Sequence, residues 1–162
     1  MSMTTIEEMR NVQEFIPWDK WPKGIQTNCI AYALGLPIDD PKCVFFWRLL
    51  SEDPITKLID TFDSLGLCYR QITSEAEIKE NEYGIVLYHY FYKTIRKCFG
   101  CEWSEETEEI HLARIELDGT WTHKFGWNYD ASTTTPEEIH GTILQYDNVD
   151  VSPTAFFAVR KP

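Results

Sequence analysis

Asp118-Gly119 divides two strand-like runs, IHLARIEL before it and TWTHKFG after it. Asp-Gly suits a tight hairpin because such a turn needs residues with positive φ, which Gly adopts freely and Asp tolerates. The two runs should therefore fold back on each other as an antiparallel pair, and this half of the chain is committed to a sheet. Three further runs, CYRQI, YGIVLYHYFY and AFFAVRK, are rich in β-branched and aromatic residues and read as more strands.

Upstream the pattern is helical. Thr4 or Thr5 can cap an amphipathic segment IEEMRNVQEF, which must stop before Pro17. The stretch PWDKWPKGIQTN, with two prolines and a glycine, runs as an aromatic-anchored loop that delivers the chain to Cys29. Thr27 or Asn28 can cap a short helix CIAYAL closed by Gly35, and a second helix is expected from about Pro54 to Leu65, ending at Gly66. Helices first and strands later is the order of an α+β domain, and 162 residues make one core, so residues 1–162 are read as a single domain. The acidic run EWSEETEEI from Glu102 reads as a solvated loop or a helix, and Cys98-Phe99-Gly100-Cys101 as part of an insertion loop. His140 falls at the end of a short surface helix.

Charge and cysteine content narrow the function classes. With 15 Lys and Arg against 26 Asp and Glu, net charge −11, the chain lacks the clustered cations that phosphate contacts require, so no nucleic-acid partner is expected. No apolar run approaches the ~20 residues of a membrane span, and the acidic N-terminus does not resemble a secretory signal. The expectation is a cytoplasmic protein as synthesised, exported, if at all, by a route that needs no signal peptide, and without a membrane partner. Five cysteines, an odd number without a regular framework, suit a reducing compartment. The Cys98/Cys101 pair lacks the second pair of ligands that a zinc site needs, and no metal or other cofactor is expected.

The candidate chemistry lies with Cys29, His111 and His123. Cys29 falls in the first turn of its helix, where unpaired amides and the helix dipole favour a thiolate. A cysteine in an apolar helix is equally at home as a core residue, so the histidines decide. They lie seven residues before and four after the hairpin turn, and the register sets whether the two imidazoles share a face. If they do, His111 has the second partner that a general base needs to hold one tautomer, and His123 is that partner. Gln26 is a candidate oxyanion donor, and Asn28, Trp18, Trp21 and Trp127 are candidate substrate contacts around the same helix.

These motifs together resemble the NlpC-like cysteine peptidases of the papain-like superfamily. Asn28-Cys29 is similar to the polar residue and helix-starting Cys of that family, and Tyr83-Gly84-Ile85-Val86-Leu87-Tyr88 to its strand of the type G-D-L-V-F-F. His111-Leu112-Ala113-Arg114-Ile115, followed through Asp118-Gly119 by His123 twelve positions on, resembles its catalytic hairpin. The resemblance covers roughly residues 26 to 125 and departs from the family at Asn28, at Ile30 and Ala31, and in about twenty extra residues before His111. It implies a papain-like (NlpC-type) α+β fold, with N-terminal helices on an antiparallel sheet. It also implies a Cys29-His111-His123 thiol hydrolase acting on amide bonds, with the Cys29 backbone amide in the oxyanion hole.

Three functional classes follow. The first is a cell-wall peptide endopeptidase or amidase, acting on peptidoglycan as a phage lysis protein or an antibacterial effector. The second is an effector protease or deamidase acting on proteins in a cytosol, which the acidic charge favours because anionic wall polymers would repel it. The third is a non-enzymatic inhibitor or binding protein on the same scaffold, with an immunity or host protein as partner.

Overall fold

The structure, a computed structural model, describes residues 15–21, 23, 28–35, 53–124, 130–143 and 153–161. The expected helix over 4–16 falls almost wholly outside them, and so do Cys43 and Trp47.

Two helices begin and end as their sequence dictates. Helix α1 (Cys29–Leu34) starts where the Asn28 side chain accepts from the Ala31 amide at 2.7 Å, and stops at Gly35 with φ 67°. Helix α2 (Pro54–Leu65) starts with Asp53 accepting from the Thr56 amide and stops at Gly66 with φ 69°. Both glycines occupy the left-handed region that only Gly enters without strain, so each helix ends at a defined residue. Helix α3 (Pro136–Ile143) follows the hairpin region.

The strands are β1 (Cys68–Ile72), β2 (Tyr83–Cys98), β3 (Cys101–Ile115), β4 (Trp121–His123), β5 (Ser132–Thr133) and β6 (Ala155–Arg160). They form one antiparallel sheet in the order β1-β6-β2-β3-β4-β5, so the domain is α+β with few helices among the described residues. Side chains alternate across the sheet. Ile85, Leu87, Ile110, Leu112 and Phe157 face α1 and α2, whose Ile30, Leu34, Leu58 and Phe62 complete the larger core. Val86, Tyr88, Ala113, Ile115 and Trp121 face the other way, where Ile139 of α3 packs. Gly84 is held small by its strand partner: a Cβ there would lie 2.8 Å from Ile115 and from Ile78.

The run EWSEETEEI is neither a loop nor a helix but the first part of β3. It pairs with the second half of β2 in a long two-stranded arm, in which Lys93 faces Glu106 and Lys97 faces Glu102. Opposite charges directly across a ladder stabilise it, whereas the same acids in isolation look like solvated coil. Cys98 and Cys101 are likewise not in an open insertion loop. They are ladder partners closing a two-residue turn, Phe99 and Gly100, with φ 50° and 77°.

Arg114 ties these parts together. It lies on the α1 face of β3 and is 0% exposed. Its guanidinium donates to Glu116 at 2.7 and 2.9 Å, to the Ile16 carbonyl at 2.6 Å and to the Tyr32 carbonyl at 3.4 Å, and it stacks over the Tyr32 ring at 4.6 Å. The partner carboxylate also accepts from Thr122 of β4, whose hydroxyl accepts from Tyr32. Burying a guanidinium is tolerable only with its charge and donors satisfied. Replacing Arg114 with Met should therefore cost about 3 kcal/mol or more, because Glu116 is left without its partner, and Arg114→Met/Glu116→Leu should recover part of that loss. Urea unfolding of the three proteins checks this. A single variant as stable as the parent would show that the pair contributes nothing.

Candidate active site

The hairpin register answers the question the sequence leaves open. Arg114 pairs with Thr122 and Ile115 with Trp121, which sets Ala113 level with His123. His111 lies two residues before Ala113, hence on the same face as His123, one diagonal step away. The rings meet: His111 Nε2 is 3.0 Å from His123 Nδ1, with the ring planes at 81°. The turn between them spans Glu116 to Thr120, with Gly119 at φ 87° and the Asp118 carboxylate accepting from the Thr120 amide.

Cys29, at the start of α1, approaches the same strand. Its thiol donates to the Ile110 carbonyl at 3.8 Å, and the Leu112 amide also faces the sulfur. These two groups flank His111 in β3, so the sulfur touches the strand's backbone on either side of the histidine, whereas Cys29 packs in the core on the α1 face and the His111 and His123 side chains rise from the α3 face with Tyr88 and Ala113. The described part of β4 ends at His123, level with Ala113, which leaves this stretch of β3 to α1.

The electrostatics differ from the sequence expectation. Burial pushes the Cys29 thiol up to about 11, helped by the charge of Glu109 and opposed by the amides of Leu112, Ile30 and Cys29 itself. Cys29 as a whole is only 6% exposed. A helix dipole favours an anion by ~0.3–1 kcal/mol, less than one pKa unit, so desolvation outweighs it here. His111, 4% exposed, is pushed down to about 3, first by burial and then by the neighbouring charge of His123. His123 is also lowered by burial, with Glu138 opposing. At neutral pH the site thus rests as a protonated thiol and neutral imidazoles.

The other candidates fall into three groups. Asn28 caps α1 through its side chain. Trp21 stands edge-on to Tyr32 with ring centroids 5.1 Å apart, and Trp18 borders the same cluster with Ile16. All three residues are thus engaged in holding α1. Gln26 and Trp127 lie outside the described residues. His89 is bonded to Glu108 at 2.6 Å. Among the described residues no three His, Cys, Asp or Glu side chains converge as metal ligands would.

Sequence reasoning missed Tyr88 and Lys124. Tyr88 is the ladder partner of His111, and its ring lies 5.6 Å from that of His140, which is half-buried rather than a surface residue. Neither Tyr88 Oη nor His140 Nε2 has a hydrogen-bond partner among the described residues. The strand period would have placed Tyr88 opposite His111, but only once the register was known. Lys124 follows His123 and is 1% exposed, a position that nothing in a Lys-Phe-Gly sequence reveals.

The chain matches no known protein family, no curated protein and no solved structure. No helix of the described residues is long and apolar enough to cross a membrane.

The depressed His111 gives a pH signature. The fold favours its neutral form, so the unfolded chain binds the extra proton first, and stability falls as pH drops through the window from 6.5 to about 3. The slope should reach up to about 1.4 kcal/mol per pH unit for one such group. Unfolding free energies measured from pH 7 to pH 4 should fall less steeply in His111→Gln than in the wild type. Parallel curves would mean that His111 is not held neutral.

Proposed function

We propose that this chain is a thiol hydrolase of papain-like, NlpC-type fold that cleaves amide bonds, with Cys29 as nucleophile, His111 as general base and His123 as the residue that orients it. The observation that carries the reading is the bonded histidine pair on the hairpin, set in the strand whose flanking residues contact the Cys29 sulfur. A lone buried histidine would be an ordinary core residue. Two in contact, in the strand whose backbone the Cys29 sulfur touches, match the logic of a base fixed in one tautomer by a second polar group, and in this reading the sulfur reaches them round the edge of β3 that the described part of β4 leaves open.

Because the resting site holds a thiol and neutral imidazoles, the reaction begins with general-base catalysis and not from a preformed ion pair. In this reading Nε2–H of His111 donates to Nδ1 of His123, and Nδ1 of His111 takes the thiol proton as sulfur attacks the amide carbonyl. The carbonyl oxygen gains the negative charge, which the Cys29 amide stabilises. Collapse breaks the C–N bond, the leaving amine takes the proton from His111, and the acyl group stays on sulfur. Water then attacks the thioester with His111 again accepting a proton, and carboxylate and thiol are released.

The substrate is a peptide amide. Bacterial wall peptides follow from the family resemblance, and the net charge of −11 favours a protein substrate, attacked by an effector protease or deamidase, over an anionic polymer. The burial of Cys29 favours a second reading, a binding or inhibitory protein that keeps the scaffold without turnover.

Incubation with purified peptidoglycan, a peptide library and intact protein substrates, read as new amino groups or released ammonia, separates these. The wild type should hydrolyse one class. Cys29→Ala should abolish the activity, His111→Ala should lower it by about 10²–10⁴-fold, and His123→Ala should lower it less, since it orients the base without exchanging the proton. Hydrolysis that survives Cys29→Ala refutes the assignment. A wild type inert on all three favours the binding protein.

A further inference from the structure

The long arm ends in two cysteines. Cys98 and Cys101 are the last ladder partners of β2 and β3, and both are free and exposed. Ladder partners send their side chains to the same face of the sheet, with Cα atoms ~4.5–5.5 Å apart. A disulfide spans Cα separations of ~4.4–6.8 Å, so these two thiols can join without rearranging the strands. The turn itself does not impose this register. Phe99 and Gly100 have φ of 50° and 77°, a region that suits Gly but disfavours a bulky side chain, and Asn is the usual residue in the place Phe99 takes. The ladder behind the turn holds it, braced across the strands by Lys97 with Glu102 at 3.6 Å and Arg96 with Glu105 at 3.3 Å. Of the other described cysteines, Cys29 is enclosed in the core, and Cys68 pairs with Arg160 at the opposite end of β2 from the tip. Two thiols fall short of the four ligands of a structural zinc site, and among the described residues no third ligand joins them.

We propose that Cys98 and Cys101 form a reversible dithiol–disulfide site at the tip of the arm, with a small-molecule disulfide of the glutathione class as its oxidant. The site is independent of the reading of Cys29. One cysteine, as thiolate, attacks a sulfur of oxidised glutathione and breaks its S–S bond; one glutathione leaves as thiolate and the other stays in a mixed disulfide. The second cysteine, directly across the ladder, attacks the protein sulfur of that mixed disulfide, closes the Cys98–Cys101 bond and releases the second glutathione. The two protein thiols give up two electrons and two protons, which leave on two molecules of reduced glutathione. An excess of reduced glutathione runs the same steps backward.

The bond has a mechanical consequence for the arm. Pairing of β2 with β6 ends at Leu87, and the pairing of β3 with β4 covers only Arg114 and Ile115, so among the described residues the arm is two strands alone. A two-stranded hairpin is marginal by itself, and a link at its tip restricts the opened form. The redox state thus sets how firmly the segment that displays Phe91, Ile95 and Phe99 to solvent is held together.

Trypsin releases residues 98–114 as one peptide with both cysteines and no other. The folded full-length chain is equilibrated across a series of reduced and oxidised glutathione mixtures, quenched with acid, and this peptide is weighed. It should become about two mass units lighter than the dithiol form, with no glutathione attached, whereas Cys98→Ser should leave Cys101 carrying one glutathione. A wild-type peptide that holds glutathione on both cysteines, stays reduced throughout the series, or is joined to a peptide of another cysteine overturns the proposal. Repeating the equilibration in urea reads the part played by the register. The ratio of disulfide to dithiol at fixed glutathione should fall at least about tenfold on unfolding, and by linkage the disulfide favours the paired arm by the same factor. An equal ratio in the folded and unfolded chain would show that Cys-x-x-Cys spacing alone makes the bond, and that refutes the site.

Discussion

The Arg114–Glu116 pair fixes where everything else lies. One guanidinium reaches the Ile16 carbonyl, the Tyr32 carbonyl and ring, and a carboxylate that also binds Thr122. The segments at Ile16 and Tyr32, 98 and 82 residues away in sequence, are thereby pinned to one point of β3 together with Thr122 across the hairpin. Because α1 is a single short helix, its own hydrogen bonds could not hold Cys29 at a set height on the sheet. The buried charge network does, acting through Tyr32 three residues after the cysteine. Nonpolar packing alone would tolerate sliding of such a helix, whereas a fork of directed donors does not.

That rigidity also sets the charge state of these residues. A thiol enclosed against strand backbone and a histidine pair kept out of water rest in their neutral forms, so ionising either works against desolvation. The arrangement protects the sulfur from solution oxidants at the expense of ground-state reactivity, since the thiolate is the reactive species.

How much of this the sequence disclosed follows from which forces are local. Caps and stops at Asn28, Gly35 and Gly66 are decided by neighbours within a few residues and were legible. The hairpin at Asp118-Gly119 was legible too, but the pairing of His111 with His123 depended on a register that only the fold reveals. The second half of β2 and first half of β3 deceived because their stabilising charges sit on opposite strands, so each strand alone looks unsuited to a sheet. The thiol of Cys29 was misjudged for a related reason: a helix terminus is visible in sequence, but the desolvation that overrides it is not. Arg114 and Lys124 carried no local mark, since a cation reads as surface until its carboxylate and carbonyl partners are known.

The place of β6 in the sheet has a consequence for how the chain reaches this state. It lies between β1 and β2, hydrogen-bonded to both, although it follows them by the whole length of the arm, the hairpin and α3. During synthesis β1 and β2 emerge with facing edges that have no strand between them, while the β2–β3 ladder can already close through contacts near in sequence. The sheet becomes continuous only when Ala155–Arg160 arrives, so the nascent chain carries an open slot until that strand is made. Such a slot is where another extended segment can pair by mistake, and a slow ribosome at this point lengthens the exposure.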